Sequence, residues 1–139
     1  MASKQHDFIV SAIARKMKLY GFRIIYLDGK YQDVETEKPD IPPKIINHKP
    51  DIIGEKNSMI FCIGEAKTRD DIHSERTKHQ ITDFLSIVKL KPGNKLILGI
   101  PLTAKEDLRS LLMKLGFVNQ RQIEIIYIPA ELLPNEEEI

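Results

Sequence analysis

The chain is expected to fold as an α/β domain on a mixed central sheet of about five strands flanked by helices, in the order αβββαβαβ. Three observations lead to this class. Apolar stripes of helical period recur in three separate stretches, short apolar runs stand between them, and proline, glycine and asparagine mark the joins. A length of 139 residues suits one domain, able to bury roughly 68–70% of its unfolded surface. Residues 1–130 are read as that domain and residues 131–139 as an acidic, flexible tail.

The first element is helical, because Ile9, Ile13, Met17 and Tyr20 fall at i, i+4, i+8 and i+11. Ser3 is its expected N-cap and Gly21 its left-handed terminator. Residues 23–27 read as a strand. Asp28 and Gly29 form a favoured two-residue turn, so residues 30–34 are expected to run back beside it. Residues 35–49 are rich in proline and charge and read as a loop of a length that is more often functional than idle. A second core strand is expected over 50–54, a turn over 55–58 and a third strand over 59–67, apolar on both faces and therefore central. Asp70 or Asp71 is expected to cap a helix whose stripe is Thr77, Ile81, Phe84, Leu85 and Val88, ended by residues 91–94. Residues 95–100 form a strand broken by Pro101. Thr103 is expected to cap a helix with Leu108, Leu111, Leu112 and Leu115 inward and Gly116 at its end, before a last strand over 123–128. The early strands can pair as an antiparallel meander, whereas the later ones need helical crossovers and so pair in parallel.

Composition narrows the setting. The 42% hydrophobic and 29% charged content are those of an ordinary globular protein, and no apolar run approaches the ~20 residues that span a bilayer. The first residues lack the apolar stretch of a secretory signal, and a single cysteine, Cys62, fits a reducing compartment, so a cytoplasmic location without membrane association is expected. Cys62 reads as a small buried hydrophobe. The net charge is +1, but four of the 20 acids (Glu131, Glu136, Glu137 and Glu138) lie in the tail, leaving a mildly basic body compatible with a nucleic-acid surface. His73 and His79 are spaced wrongly for a shared helical face and no second cysteine assists, so a structural zinc site is not expected.

The chemistry concentrates in two stretches, Lys49-Pro50-Asp51-Ile52-Ile53-Gly54 and Phe61-Cys62-Ile63-Gly64-Glu65-Ala66-Lys67-Thr68. Asp51 heads one apolar strand. Glu65 and Lys67 end the next and share a face, since side chains alternate with period two. Charges on the rim of a core are costly unless compensated, and two carboxylates with one ammonium suit a divalent cation beside a lysine. A salt bridge of Asp51 or Glu65 with Lys67, purely structural, is the alternative for these residues taken singly.

Pro-Asp, thirteen residues, then Glu-x-Lys resembles the signature of the PD-(D/E)xK nuclease superfamily, and the element order resembles its restriction-endonuclease-like core over residues 5–130. The resemblance implies Mg²⁺, with Mn²⁺ able to substitute, held by Asp51, Glu65 and the carbonyl of Ala66, with Lys67 orienting the attacking water or offsetting transition-state charge. It also implies an acid from the first helix, for which Asp7 is the candidate and Glu35 or Glu37 the substitutes. Gln80-x-x-x-Phe84 resembles the Gln-x-x-x-aromatic element of the RecB-type branch, with phenylalanine in place of tyrosine, which makes Gln80 a candidate for ordering the site. Lys49, Lys56, Thr68, Arg69 and Arg76 are candidate phosphate contacts. The expected activity is therefore hydrolysis of DNA phosphodiester bonds, on duplex or branched substrate, by an endonuclease similar in size to Holliday-junction resolvases. A homodimer would present paired sites. The rival expectation is a catalytically inactive nucleic-acid-binding or assembly module of the same fold.

Overall fold

In the computed structural model, which describes residues 3–28 and 41–135, helix α1 spans Lys4–Leu19 and strand β1 Arg23–Leu27. Then come β2 (Ile52–Lys56), β3 (Ile60–Ala66), α2 (Glu75–Val88), β4 (Lys95–Pro101), α3 (Lys105–Leu115) and β5 (Ile123–Ile128). The order αβββαβαβ is the expected one. One five-stranded sheet runs β1-β2-β3-β4-β5, antiparallel from β1 to β3 and parallel from β3 to β5, so β3 is central and lies where the sheet changes sense.

The two faces of the sheet bury different cores. Helix α1 lays Ile9, Val10, Ile13 and Met17 on one face, against Ile52, Cys62, Ala66 and Ile97. Helices α2 and α3 cover the other, where Ile81, Phe84, Leu85, Leu108 and Leu112 meet Ile63, Leu96, Leu98 and Ile100. Helix α1 lies close on the sheet because Gly64 and Gly99 present no Cβ. A Cβ at Gly64 would fall 2.4 Å from Ile52 and 2.6 Å from Ile13, and one at Gly99 2.5 Å from Ile9.

Several expected boundaries shift for local reasons. Strand β2 starts at Ile52 rather than residue 50, since Pro50 has no N–H to give a ladder. It continues through Glu55 and Lys56, because the reversal falls on residues 57–59, where Asn57 and Ser58 both have φ 55° and the Met59 N–H closes the turn on the Lys56 carbonyl at 3.1 Å. The cap of α2 is Ser74, whose Oγ accepts from the Thr77 N–H at 3.1 Å, rather than Asp70 or Asp71. Asp71 is held in a preceding 3₁₀ turn, where its carbonyl accepts from the Ser74 and Thr77 hydroxyls at 2.9 and 2.6 Å. Thr103 likewise lies inside a 3₁₀ turn, Leu102–Ala104, and Ala104 precedes α3 without a side-chain cap. Ser3, Gly21 and Gly116 act as expected: Ser3 accepts from the His6 N–H, and both glycines have positive φ.

The expected hairpin partner over residues 30–34 lies outside the described residues, and β1 pairs with β2 as the expected antiparallel meander has it. Glu35 and Glu37 lie outside them as well. Residues 130–132 form a 3₁₀ turn, Leu133 packs against the α1 core and the Pro134 carbonyl accepts from Gln5, so the first part of the acidic segment is docked on α1. No helix among the described residues is long and apolar enough to cross a membrane.

Candidate functional site at the end of the central strand

Strand pairing builds the site. The register that sets Ile52 against Gly64 places Asp51 opposite Glu65, at the point where β2 begins and β3 ends. The two are stitched by backbone donors: the Asp51 N–H donates to Glu65 Oε1 at 3.1 Å, and the Ala66 N–H to Asp51 Oδ2 at 2.8 Å. Just beyond β3, Lys67 donates its own N–H to the Gly99 carbonyl, which fixes the chain as it leaves the sheet. The Lys67 ammonium then folds back to Glu65 Oε2 at 3.1 Å and also donates to Gln80 Oε1 from α2. Gln80 is buried on the same helical face as Thr77, Ile81 and Phe84, so packing of α2 on the sheet carries the amide to the lysine.

These groups line a cleft of about 260 Å³ together with His6, Asp28, Lys49, Asp71, Ser74 and Arg76. Its floor is buried: side-chain exposure is 4% for Glu65, 12% for Lys67 and 13% for Asp51. Burial raises the Glu65 carboxyl to about 8, helped by the charge of Asp51 and opposed by Lys67. Asp51 goes the other way. Burial pushes its carboxyl up, but hydrogen bonds and charge from His6, with the Ala66 N–H, outweigh that and hold it below the usual carboxylate range. Two adjacent carboxylates are thus pushed apart in acidity, one kept ionised and one kept protonated near neutrality.

His6 is the residue that sequence reasoning passed over. Its Nε2 lies 3.2 Å from Asp51 Oδ2, a hydrogen bond that raises the imidazole above its ordinary value. Its Nδ1 is buried with no hydrogen-bond partner among the described residues, 3.8 Å from Asp7 Oδ1. Asp7 itself is half exposed and does not line the cleft, so the structure brings His6, not Asp7, from α1 to the site. A signal was available: His6, Val10, Ile13 and Met17 follow at i, i+4, i+7 and i+11, which puts His6 on the buried stripe and Asp7 beside it.

The other phosphate candidates divide. Lys49 and Arg76 line the cleft. Thr68 is turned to Asp71, donating to its carboxylate at 2.9 Å. Lys56 sits at the far end of β2, where it donates to the Tyr20 carbonyl and lies over the Phe22 ring. Cys62 is buried with its thiol pushed up by burial to about 12, as befits an inert core residue.

Among the described residues no three His, Cys, Asp or Glu side chains converge as a ready-made metal cage. The pair still suits a hard cation. Mg²⁺ takes one or two carboxylates and fills the rest of its octahedron with water and substrate oxygen, and a cation beside Glu65 would offset the burial and the Asp51 charge that raise its carboxyl. Compared with protein-family models, curated proteins and solved structures, the chain gave no match.

Proposed function

We propose that this protein is a metal-dependent nuclease of PD-(D/E)xK type with a restriction-endonuclease-like fold, hydrolysing DNA phosphodiester bonds as a cytoplasmic endonuclease. The observation that carries the reading is the meeting of Asp51, Glu65 and Lys67 in one cleft, with Gln80 on the lysine. A structural salt bridge explains the contact of Lys67 with Glu65. It does not explain why a second carboxylate is stitched beside Glu65, whose carboxyl burial already raises and whose value, with the Asp51 charge added, reaches about 8.

In this reading Asp51, Glu65 and the Ala66 carbonyl would hold Mg²⁺ or Mn²⁺, and His6 stands in place of the expected Asp7 as a positioning residue, its Nε2 on Asp51 Oδ2. The ion, when bound, supplies Lewis acidity and a more acidic water. The chain's own groups do the positioning. Lys67, gripped by Glu65 and Gln80, holds a fixed positive charge where charge grows on the phosphate, and no reorganisation is needed at the moment of reaction. Lys49 and Arg76, both exposed and lining the cleft, neutralise the flanking phosphates. The Ala66 N–H and His6 keep Asp51 in one orientation.

The test is nicking of supercoiled plasmid in Mg²⁺ or Mn²⁺. Asp51→Ala and Lys67→Ala are each expected to lower the rate at least about a hundredfold. The rival reading is an inactive nucleic-acid-binding or assembly module of the same fold. DNA binding without nicking by the wild type in every divalent metal would establish it. A four-way junction set against linear duplex then separates a resolvase-like from a duplex endonuclease, and a homodimer would show in the size of the complex.

A further inference from the structure

The segment that delivers Asp51 to the cleft carries a conformational anomaly. Ile45 and His48 close a two-residue turn by exchanging backbone hydrogen bonds, Ile45 N–H to His48 O at 2.7 Å and His48 N–H to Ile45 O at 3.1 Å. Of the two central residues, Ile46 is the one with positive φ, at +60°. A turn with positive φ at its first central position normally places glycine there, and a β-branched side chain is the least suited to it. Burial does not compensate, because Ile46 is 56% exposed. Strain of this kind persists only where the surroundings hold it.

The surroundings do hold it. His48 Nδ1 pairs with Asp83 Oδ2 of α2 at 2.8 Å, the Asn47 N–H reaches the same oxygen at 3.4 Å, and Ile45 packs on the α2–α3 core. Asp83 follows Gln80 by three residues on α2, so one helix grips Lys67 at one turn and the strained loop at the next. Lys49, directly after the turn, lines the cleft, and Asp51 follows two residues later. The turn is thus a mount fixed to α2 at Asp83, beside the apolar pocket that Ile45 lines and three residues before Lys49 enters the cleft, with an exposed aliphatic side chain at its tip.

We propose that Ile46 is an apolar wedge that enters a base step of duplex DNA beside the phosphate held in the cleft, unstacking it and drawing the scissile strand inward. Minor-groove and architectural proteins use isoleucine, leucine and phenylalanine in this way, and the loss of stacking is recovered through added contact with a bent duplex. A rigid mount is needed, since a mobile side chain would be pushed aside rather than inserted. The proposal rests on the nuclease reading of the neighbouring cleft, which it deepens by naming a deformable duplex as the substrate.

The experiment uses short duplexes with 2-aminopurine at successive positions, bound to the full chain in Ca²⁺ and read by fluorescence, alongside plasmid nicking in Mn²⁺. Wild type is expected to raise the fluorescence at one or two adjacent steps. Ile46→Gly is expected to lose that rise and to bind the duplex at least about fivefold more weakly, while its melting temperature stays level or rises by about 2–5 °C through relief of the turn. Ile46→Leu, which keeps the apolar bulk, is expected to restore the fluorescence. A glycine variant that unstacks and binds DNA as wild type does overturns the wedge, as does a wild type that nicks plasmid with no unstacking at any position. Unstacking by a wild type that nicks nothing in any metal supports the wedge and overturns the nuclease reading instead.

Discussion

Glu65 sits at the least comfortable point of the molecule, a carboxyl almost wholly buried and next to another acid. The sign of its effect on stability follows directly. With a folded-state value near 8 against an ordinary 4.5, the native state holds a proton that the unfolded chain has released, so this residue's contribution falls as pH rises from 4.5 to 8. The raised His6 acts in the same direction above 6.5, whereas the depressed Asp51 loses its contribution only below 3.8. Glu65→Gln, in metal-free buffer, is therefore expected to stabilise the protein by about 1–3 kcal/mol at pH 8 and by almost nothing at pH 4.5, while abolishing nicking. Denaturant midpoints at the two pH values check this, and equal stabilisation at both would contradict it. Gln80 acts through Lys67 rather than on DNA. Gln80→Ala is expected to cut the cleavage rate constant about ten- to hundredfold with little change in KM, a split that steady-state kinetics reads directly.

At the scale of elements, the contact of α1 with β3 and β4 decides whether His6 reaches Asp51. Gly99→Ala would press a methyl group into Ile9 Cγ2 and Ile13, and is expected to cost about 1–3 kcal/mol. Ile9→Ala in the same chain should recover part of that loss, a coupling measurable by a double-mutant cycle on urea unfolding. Elements were also where the sequence was most readable. Period and punctuation located all three helices and five strands, because each buries one stripe or alternates across the sheet. The caps of α2 and α3 were misread because a 3₁₀ turn precedes each, and acids or threonines in such a turn look the same in sequence as an N-cap. Asp51, Glu65, Lys67 and Gln80 were legible through spacing on strand and helix. His6 was not, since its partner lies 45 residues away and only strand pairing and the two glycines bring them together. The role of Ile46 was hidden for a different reason: nothing in an isoleucine announces a positive φ.

For the whole molecule, the proposed function would link metal, substrate and stability at the seam between the antiparallel and parallel halves of the sheet. A ligand that binds only the folded state stabilises it by about 1.4 kcal/mol for each tenfold rise above Kd. Wild type is therefore expected to melt higher as Mn²⁺ is raised through the millimolar range, by scanning calorimetry, and Asp51→Ala to show no such rise. The body of residues 1–130 is mildly basic and the cleft mouth carries Lys49 and Arg76, so duplex affinity should fall with salt. Lys49→Ala is expected to reduce the slope of log affinity against log salt by about one, as removal of a single phosphate contact does.

Asp51, Glu65, Lys67 and Gln80 all come from residues 51–80, an uninterrupted piece of chain folded by one hairpin and one helix. The carboxylates can therefore find each other as soon as a local reversal forms, before distant strands close and with little loop entropy to overcome. His6 must wait for the first helix to dock. The nascent chain would accordingly assemble its reactive acids early and acquire the imidazole last, which leaves the N-terminal helix as the part whose arrival completes the chemistry.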